Sequence, residues 1–359
     1  MNAKRGKERE DFGRILFAVL ITCKIFLLAD AVESRKKAKQ VADFYSGRSN
    51  QSREERESSP IIHLKKLNNW IKSVLIHLYV HKGDSVLDLA CGKGGDLIKY
   101  DKANIGRYVG VDIAAGSIDD AMKRYNNRRQ RLSFAAELFC GDCYEVDLER
   151  SIQGGFDVCS CQFALHYSWS TIERAERALD NVSRMLNPGG FFIGTMPDSN
   201  VIVQKLRAAQ DLEFGNSVYN ISFGEEHRTK RFPQATRFGI QYHFKLEDAV
   251  DCPEWLVFFP YFQSLAANYG LDLVLKLNFH DFVHKHIKDD HFIDLMRKLG
   301  ALGDGSNGDT LSPDEWEAAY LYLVFVFKKR GEPGPRRQQN DRRRQWSMMK
   351  AEDIKKLVT

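Results

Sequence analysis

The 359-residue chain has only seven cysteines, an odd number at irregular spacing, and so lacks a disulfide framework. That absence points to an intracellular, reducing compartment. It also lacks an apolar run of the roughly 20 residues that a membrane-spanning helix needs. The longest, Ile15 to Leu28, is broken by Thr22 and Lys24, and the Asp30, Glu33 and Lys/Arg cluster after it makes a poor signal-cleavage region. A partly buried helix, or an extension to the native chain, is expected there. No internal repeat is evident. Cys140-Gly141-Asp142-Cys143 has no second pair at zinc-ribbon spacing, which argues against a metal or redox centre.

Uniform positive charge is missing too. The net charge is +5, but residues 1–60 hold 13 basic against 9 acidic side chains and 328–359 hold 11 against 4, which leaves 61–327 at −6. An acidic body between basic ends excludes nucleic-acid binding by general charge and points to a discrete site with basic appendages. With 43% hydrophobic and 11% aromatic residues, the chain has material for a substantial core and is not disordered as a whole.

The polar stretch Ser46–Pro60 reads as a linker, so a basic N-terminal extension is assigned to 1–59. Ile61, Leu64, Leu67, Ile71, Val74, Leu75 and Leu78 then recur at helical spacing. Strands are expected at 85–89, 107–112, 133–140, 156–162 and 191–196, alternating with helices at 95–103, 115–129 and 171–186. Two late strands follow near 271–276 and 320–327. This alternation predicts a mostly parallel sheet covered by helices on both faces, with ligands at the carboxyl ends of its strands. Residues 197–260 break the rhythm and read as an insertion over the sheet. Residues 329–359, rich in Arg, Gln, Gly and Pro, are expected to be disordered.

Val86-Leu87-Asp88-Leu89-Ala90-Cys91-Gly92-Lys93-Gly94-Gly95-Asp96 is a strand, a glycine-rich turn and a helix start, where backbone can approach a ligand closely. The spacing is not that of a dinucleotide fingerprint. An acid at Asp88 suits a ligand with a cationic amino-acid end, such as S-adenosylmethionine. Asp112 closes the second strand, where an acid can accept from ribose hydroxyls. Asp142 follows the third strand and can accept from the adenine amine; Gln162, His166 and Tyr167 follow the fourth. The clustered His280, His284, His286 and His291 lie among apolar residues and read as helix-surface histidines. Cys91, Cys159 and Cys161 read as small core residues.

At this point the chain resembles the eukaryotic cellular mRNA cap guanine-N7 methyltransferases. The resemblance rests on Leu67-Asn68-Asn69-Trp70-Ile71-Lys72, the 88–96 turn, Cys159-Ser160-Cys161-Gln162-Phe163, His166-Tyr167-Ser168, Pro188-Gly189-Gly190-Phe191 and Pro253-Glu254-Trp255-Leu256-Val257, and covers roughly 40–327. It implies a Rossmann-like class I fold with a mostly parallel seven-stranded sheet, a catalytic domain over 60–328 and a cap-binding lobe in the insertion. It further implies that Lys72, Ala90, Asp112, Asp142, Gln162 and Tyr167 line an S-adenosylmethionine site. Asn68 and Asn69 would meet the cap, Lys93, Lys99 and Arg124 its triphosphate side, and His166, Glu254 and Tyr322 the guanine. No metal is implied. The implied partner is the capped 5′ end of RNA, with an activating subunit or the capping machinery, in the nucleus. Ala90 departs from the pattern, which has glycine there; so do the Ile15–Leu28 segment and the Arg-rich extension.

Guanine N7 carries a lone pair in the neutral base, so in-line methyl transfer needs no general base. His166, Tyr167 and Glu254 are then positioning residues. Two alternatives stay open at this stage: a methyltransferase for a small metabolite, and a catalytically silent RNA-binding scaffold.

Overall fold

The computed structural model describes residues 32–47, 53–127, 132–233, 237–303, 310–334 and 346–358. Ile15–Leu28 and the arginines at 336, 337 and 342–344 lie outside them. The chain divides into two compact units, Met1–Val41 and Ala42–Thr359. Helix α1 covers residues 32–47 and so enters the larger unit, which reaches beyond the expected 60–328 at both ends. The expected linker holds a short helix, α2 (Arg53–Glu57).

The apolar spacing after it produces α3 (Ile62–Tyr79), which buries Leu64, Leu67, Ile71, Val74 and Leu75. Its polar residues Asn68, Asn69 and Lys72, spaced at i, i+1 and i+4, thereby share the opposite side. Next come β1 (Ser85–Leu89), α4 (Leu97–Lys102), β2 (Arg107–Asp112), α5 (Ala115–Tyr125), β3 (Ala135–Cys140), β4 (Phe156–Gln162), α6 (Ile172–Met185) and β5 (Leu186–Pro197). The insertion contributes α7 (Ser199–Ala208) and an antiparallel sheet of β6 (Glu213–Gly215), β7 (Tyr219–Phe223), β8 (Gln241–Leu246) and β9 (Val250–Trp255). The chain ends with α8 (Phe259–Asn268), β10 (Leu271–Asn278), α9 (Phe279–His286), α10 (Asp290–Leu299), α11 (Pro313–Tyr320), β11 (Tyr322–Lys329) and β12 (Lys355–Lys356).

The main sheet has the order β10-β11-β5-β4-β1-β2-β3-β12. Every pair from β5 to β12 is parallel, whereas β11 runs antiparallel to both β5 and β10. The seven expected strands are present in a doubly wound α/β arrangement, and β12 makes an eighth. Strand order reverses between β1 and β4, which opens a crevice at their carboxyl ends, where ligands bind in open α/β sheets.

Three expectations change. The late strand begins at Tyr322, two residues after its predicted start, because Tyr320 closes α11. That helix is set by Pro313 in its first turn and by a Ser312–Glu315 capping box. The histidines at 280–291 lie on helices and none is buried, as expected, but they divide between two helices rather than one, and His280 stacks on Trp316 with ring centroids 3.7 Å apart. The tail expected to be disordered is ordered over 346–358, because backbone bonds to β3 and a buried Leu357 anchor it. Among the described residues, no helix is long and apolar enough to cross a membrane.

Candidate active site

Past β1 the backbone turns sharply. Ala90, Gly92 and Gly94 have φ of 53°, 53° and 67°, the left-handed region in which a Cβ costs roughly 1–2 kcal/mol. The two glycines avoid that strain; Ala90 carries it. A Cβ added to Gly92 would meet nothing within 4 Å, so space stands open over this backbone. Glycine at 94 is required by packing, since a Cβ there would lie 2.7 Å from Leu97 Cδ1.

Asp112 supports the turn from below. Its Oδ2 accepts from the Gly92 amide and its Oδ1 from the Ala114 amide, both at 2.8 Å. Burial pushes this carboxyl up to about 6 despite the two amide bonds, which pull it down. The Gly141 amide donates to the Asp112 carbonyl at 2.9 Å, which lays the loop after β3 alongside. Asp142 accepts from the Tyr144 amide at 2.9 Å and from Arg174 at 2.8 Å. Gln162 donates to Ser160 Oγ at 3.1 Å and accepts from Thr195 Oγ1 at 3.2 Å. Asp88 lies deeper, accepting from Tyr108 Oη at 2.9 Å. Its burial, reinforced by the charge of Asp96, pushes its carboxyl up to about 7.

The expected cations surround the start of α4. Lys72 and Lys99 both donate to Asp96, at 2.9 and 2.7 Å. Burial alone would raise the Asp96 carboxyl, but the two ammonium groups hold it well below the usual carboxylate range. Lys93 pairs with Asp120 at 2.9 Å. The Arg124 guanidinium lies over Gly95, 3.6 Å from where a Cβ would stand. Burial and the nearby Arg56 lower its pKa. Among the described residues, each predicted cation except Arg124 therefore already pairs with a carboxylate. Arg56, from the segment read as linker, adds to their field. Asn68 presents a buried Oδ1 that no donor reaches among the described residues.

The third group sits where the two sheets meet. Register places Tyr242 of β8 opposite Glu254 of β9, and the Tyr242 hydroxyl donates to Glu254 Oε2 at 2.8 Å. Glu254 Oε1 receives the Tyr167 hydroxyl at 3.4 Å and lies 3.2 Å from His166 Nε2. The His166 ring is buried, yet the contact to Glu254 is off the direction of a hydrogen bond, and neither ring nitrogen makes one among the described residues. Tyr45 reaches in from α1, its hydroxyl 3.1 Å from that of Tyr167. Tyr322 stacks on Phe279 at 5.5 Å and meets Phe163 edge-on at 5.2 Å. Burial and the charge of Glu254 push its phenol well above the ordinary value. Glu254 is only 3% exposed, and among the described residues no lysine or arginine pairs with it.

These residues fit S-adenosylmethionine and a purine beside it. The turn leaves open backbone, acids stand in or just past the carboxyl ends of the first three strands, and Asn68 Oδ1 and the His166 ring nitrogens make no hydrogen bond among the described residues. Within the same residues, no group of three or more His, Cys, Asp or Glu side chains is placed to hold a metal ion. Sequence reading missed Tyr45, Arg56, Asp96, Arg174 and Tyr242. Two had a signal: Asp96 ends the glycine-rich turn at the helix start, and Gln241–Leu246 alternates polar and apolar residues, which turns Tyr242, Phe244 and Leu246 inward.

A family model described as the mRNA (guanine-N(7))-methyltransferase domain matches residues 29–330. The chain is 61% identical to mRNA cap guanine-N(7) methyltransferase 1 of Oryza sativa subsp. japonica, over 90% of this chain and 89% of the relative. Its counterpart of the same name in Arabidopsis thaliana is 60% identical over 88% of each chain. The mRNA cap guanine-N(7) methyltransferase of Schizosaccharomyces pombe is 41% identical over 81% of this chain and 82% of its own. Among solved structures, the CcbJ methyltransferase from Streptomyces caelestis aligns over 81% of this chain and 96% of its own, at 13% identity and a TM-score of 0.47.

Proposed function

The chain belongs to the mRNA (guanine-N(7))-methyltransferase family, and from that membership we propose how its site divides the work between cofactor and cap. It is an S-adenosylmethionine-dependent enzyme that methylates N7 of the guanine cap of mRNA. The small-metabolite and silent-scaffold alternatives have no comparable support.

When bound, S-adenosylmethionine supplies a methyl group on a positively charged sulfur. In our reading Asp112 accepts from the ribose hydroxyls, Asp142 from the adenine amine and Lys72 pairs with the methionine carboxylate. Ala90, Gln162 and Tyr167 line the space between. Glu254 accepts from guanine N1–H and the exocyclic amine together. Adenine would set an acceptor nitrogen against the same carboxylate, so the pocket rejects it. Tyr322 and His166 hold the ring. Asn68, Asn69, Lys93, Lys99 and Arg124 face the cap and its phosphates. Orientation carries the catalysis, since guanine N7 needs no deprotonation; well-aligned reactants can gain roughly 7–11 kcal/mol in this way.

The observation that carries this reading is the buried Glu254 carboxylate, ringed by hydroxyls and aromatic walls, with the His166 imidazole beside it and no lysine or arginine paired with it among the described residues. Burying a carboxylate compensated only by hydroxyls and an imidazole is expensive, and a base presenting two N–H donors offsets that expense. Incubation with methyl-labelled S-adenosylmethionine and unmethylated capped RNA, followed by nuclease digestion, should place the label in 7-methylguanosine of the cap. Label on a sugar or an internal base, or equal transfer to free guanosine triphosphate, refutes the assignment. The reading extends to a nuclear location and to the capping machinery as partner, tested by imaging and by affinity capture of the tagged full chain.

A further inference from the structure

The end of the chain returns to the cofactor edge of the sheet. Met349 and Asn126 exchange two hydrogen bonds, amide to Oδ1 at 2.9 Å and Nδ2 to carbonyl at 2.6 Å, which fastens the tail just past α5. Strand β12 then runs parallel to β3, with Lys355 Nζ 2.8 Å from Glu137 Oε2 and 5.2 Å from the Phe139 ring. The Leu357 amide donates to the Cys140 carbonyl at 3.1 Å, and the Val358 amide to Ser151 Oγ at 3.0 Å. Between those two bonds the buried Leu357 side chain fills the place a side chain at 141 would need: a Cβ on Gly141 would stand 2.8 Å from Leu357 Cβ. Gly141 is thus pressed from one side by Leu357 and tied on the other to the Asp112 carbonyl.

We propose that Met349–Val358 is a positioning strap for the adenosine half of the cofactor site, acting through Leu357. It spans from the end of α5, the helix that follows Asp112, to the loop that presents Asp142. By closing the flank of Gly141 it fixes the spacing between those two acids. The inference rests on our assignment of Asp112 to ribose and Asp142 to adenine. A strap that only protected the β3 edge would stabilise the fold and leave cofactor affinity alone, and this difference is measurable.

The test uses the full chain with Leu357→Asp, Leu357→Ala, Leu357→Met and, separately, Asp142→Ala. Binding of S-adenosylhomocysteine is measured by calorimetry, beside steady-state constants for S-adenosylmethionine and capped RNA. Leu357→Asp should weaken cofactor binding about tenfold, within the usual span of coupling between linked sites, and Leu357→Ala by a smaller factor. Leu357→Met should restore nearly normal affinity. The KM for capped RNA, and kcat at saturating S-adenosylmethionine, should stay unchanged. Wild-type cofactor affinity in both Leu357→Asp and Leu357→Ala overturns the strap, as does a parallel rise in the KM for capped RNA. If Leu357→Asp does not fold, Leu357→Ala decides. Normal cofactor binding by Asp142→Ala would instead overturn the adenine assignment, so the two failures are distinguishable.

Discussion

The Lys72 ammonium donates to Asp96 Oδ2 at 2.9 Å, joining helix α3 to the residue that precedes α4. Lys99 donates to the same carboxylate, so one acid holds two cations beneath the glycine turn. On the proposed assignment, a methionine carboxylate arriving at Lys72 meets a lysine already aligned, while Lys99 keeps Asp96 compensated. Asp96→Asn leaves two largely buried ammonium groups facing each other and should lower unfolding stability by about 3 kcal/mol. Denaturant midpoints check this; an unchanged midpoint would show that the pairing contributes nothing.

Ala90 supports a prediction of the opposite sign. Ala90→Gly removes the strain of a Cβ at φ 53° and gives back part of that gain as greater freedom of the unfolded chain, for a net stabilisation of about 1 kcal/mol. Calorimetric melting should register a modest rise in Tm, with cofactor affinity equal to or tighter than that of the parent. A lower Tm would mean that the alanine methyl group makes contacts worth more than the strain.

The proposed guanine pocket is tested by taking its polar groups one at a time. Glu254→Gln keeps an acceptor for Tyr242 and replaces the other oxygen with a donor that opposes guanine. It should cut kcat/KM for capped RNA by about 100-fold or more, while S-adenosylhomocysteine binding is retained. Tyr242→Phe removes one donor to Glu254 and should cost a smaller factor, near tenfold, the worth of one hydrogen bond to a charged group. Wild-type turnover by Glu254→Gln would remove Glu254 from guanine recognition.

Stability should depend on pH in a direction set by Asp88 and Asp112. Burial raises both carboxyls, to about 7 and about 6. Between roughly pH 4 and 7 the folded chain therefore binds protons that the unfolded chain has released, and stability falls as pH rises through that window. Asp88→Asn should flatten much of the fall. Ligands that donate to ionised Asp112 favour the deprotonated form, so affinity for S-adenosylhomocysteine should rise from pH 5.5 to 7.5 with net proton release, seen by calorimetry in two buffers. Proton uptake would reverse the argument.

Deleting the basic C-terminal region is a poor test of RNA binding, because it also removes the residues packed against β3 and Gly141. Replacing Arg336, Arg337, Arg342, Arg343 and Arg344 by Gln keeps that packing in the chain. If these arginines hold the transcript, the salt dependence of binding to long capped RNA should flatten. On single strands the log-log slope falls by roughly 0.7 for each phosphate left without its cation. Methylation of a short cap analogue should be unaffected. An unaltered slope would exclude them.

The sequence was most legible where a local rule and a strand end coincide. Asp112, Asp142 and Gln162 each close or follow a strand whose apolar run is unmistakable, and Asn68, Asn69 and Lys72 fall on the polar side of a strongly periodic helix. Tyr45 was not legible, because its role depends on a partner 122 residues away and the polar run that follows it reads as a linker. Arg174 lies on a helix whose surface cations ordinarily meet solvent, and only the fold brings it to Asp142. The tail at 346–358 has no strand periodicity; the Met349–Asn126 bonds, two residues paired with β3, Leu357 and the Val358 amide hold it in place.

Strand β11 is the last long strand to be made, yet it lies inside the sheet, between β5 and β10, and it carries Tyr322. During synthesis the first five strands and the glycine turn leave the ribosome well before it. A nascent or prematurely terminated chain that stops before β11 therefore lacks an interior strand of the sheet and, with Tyr322, one wall of the proposed guanine pocket. Methyl transfer to a cap thus has to wait for nearly the whole polypeptide, because on the proposed assignments both Tyr322 and the Met349–Val358 strap come from its last part.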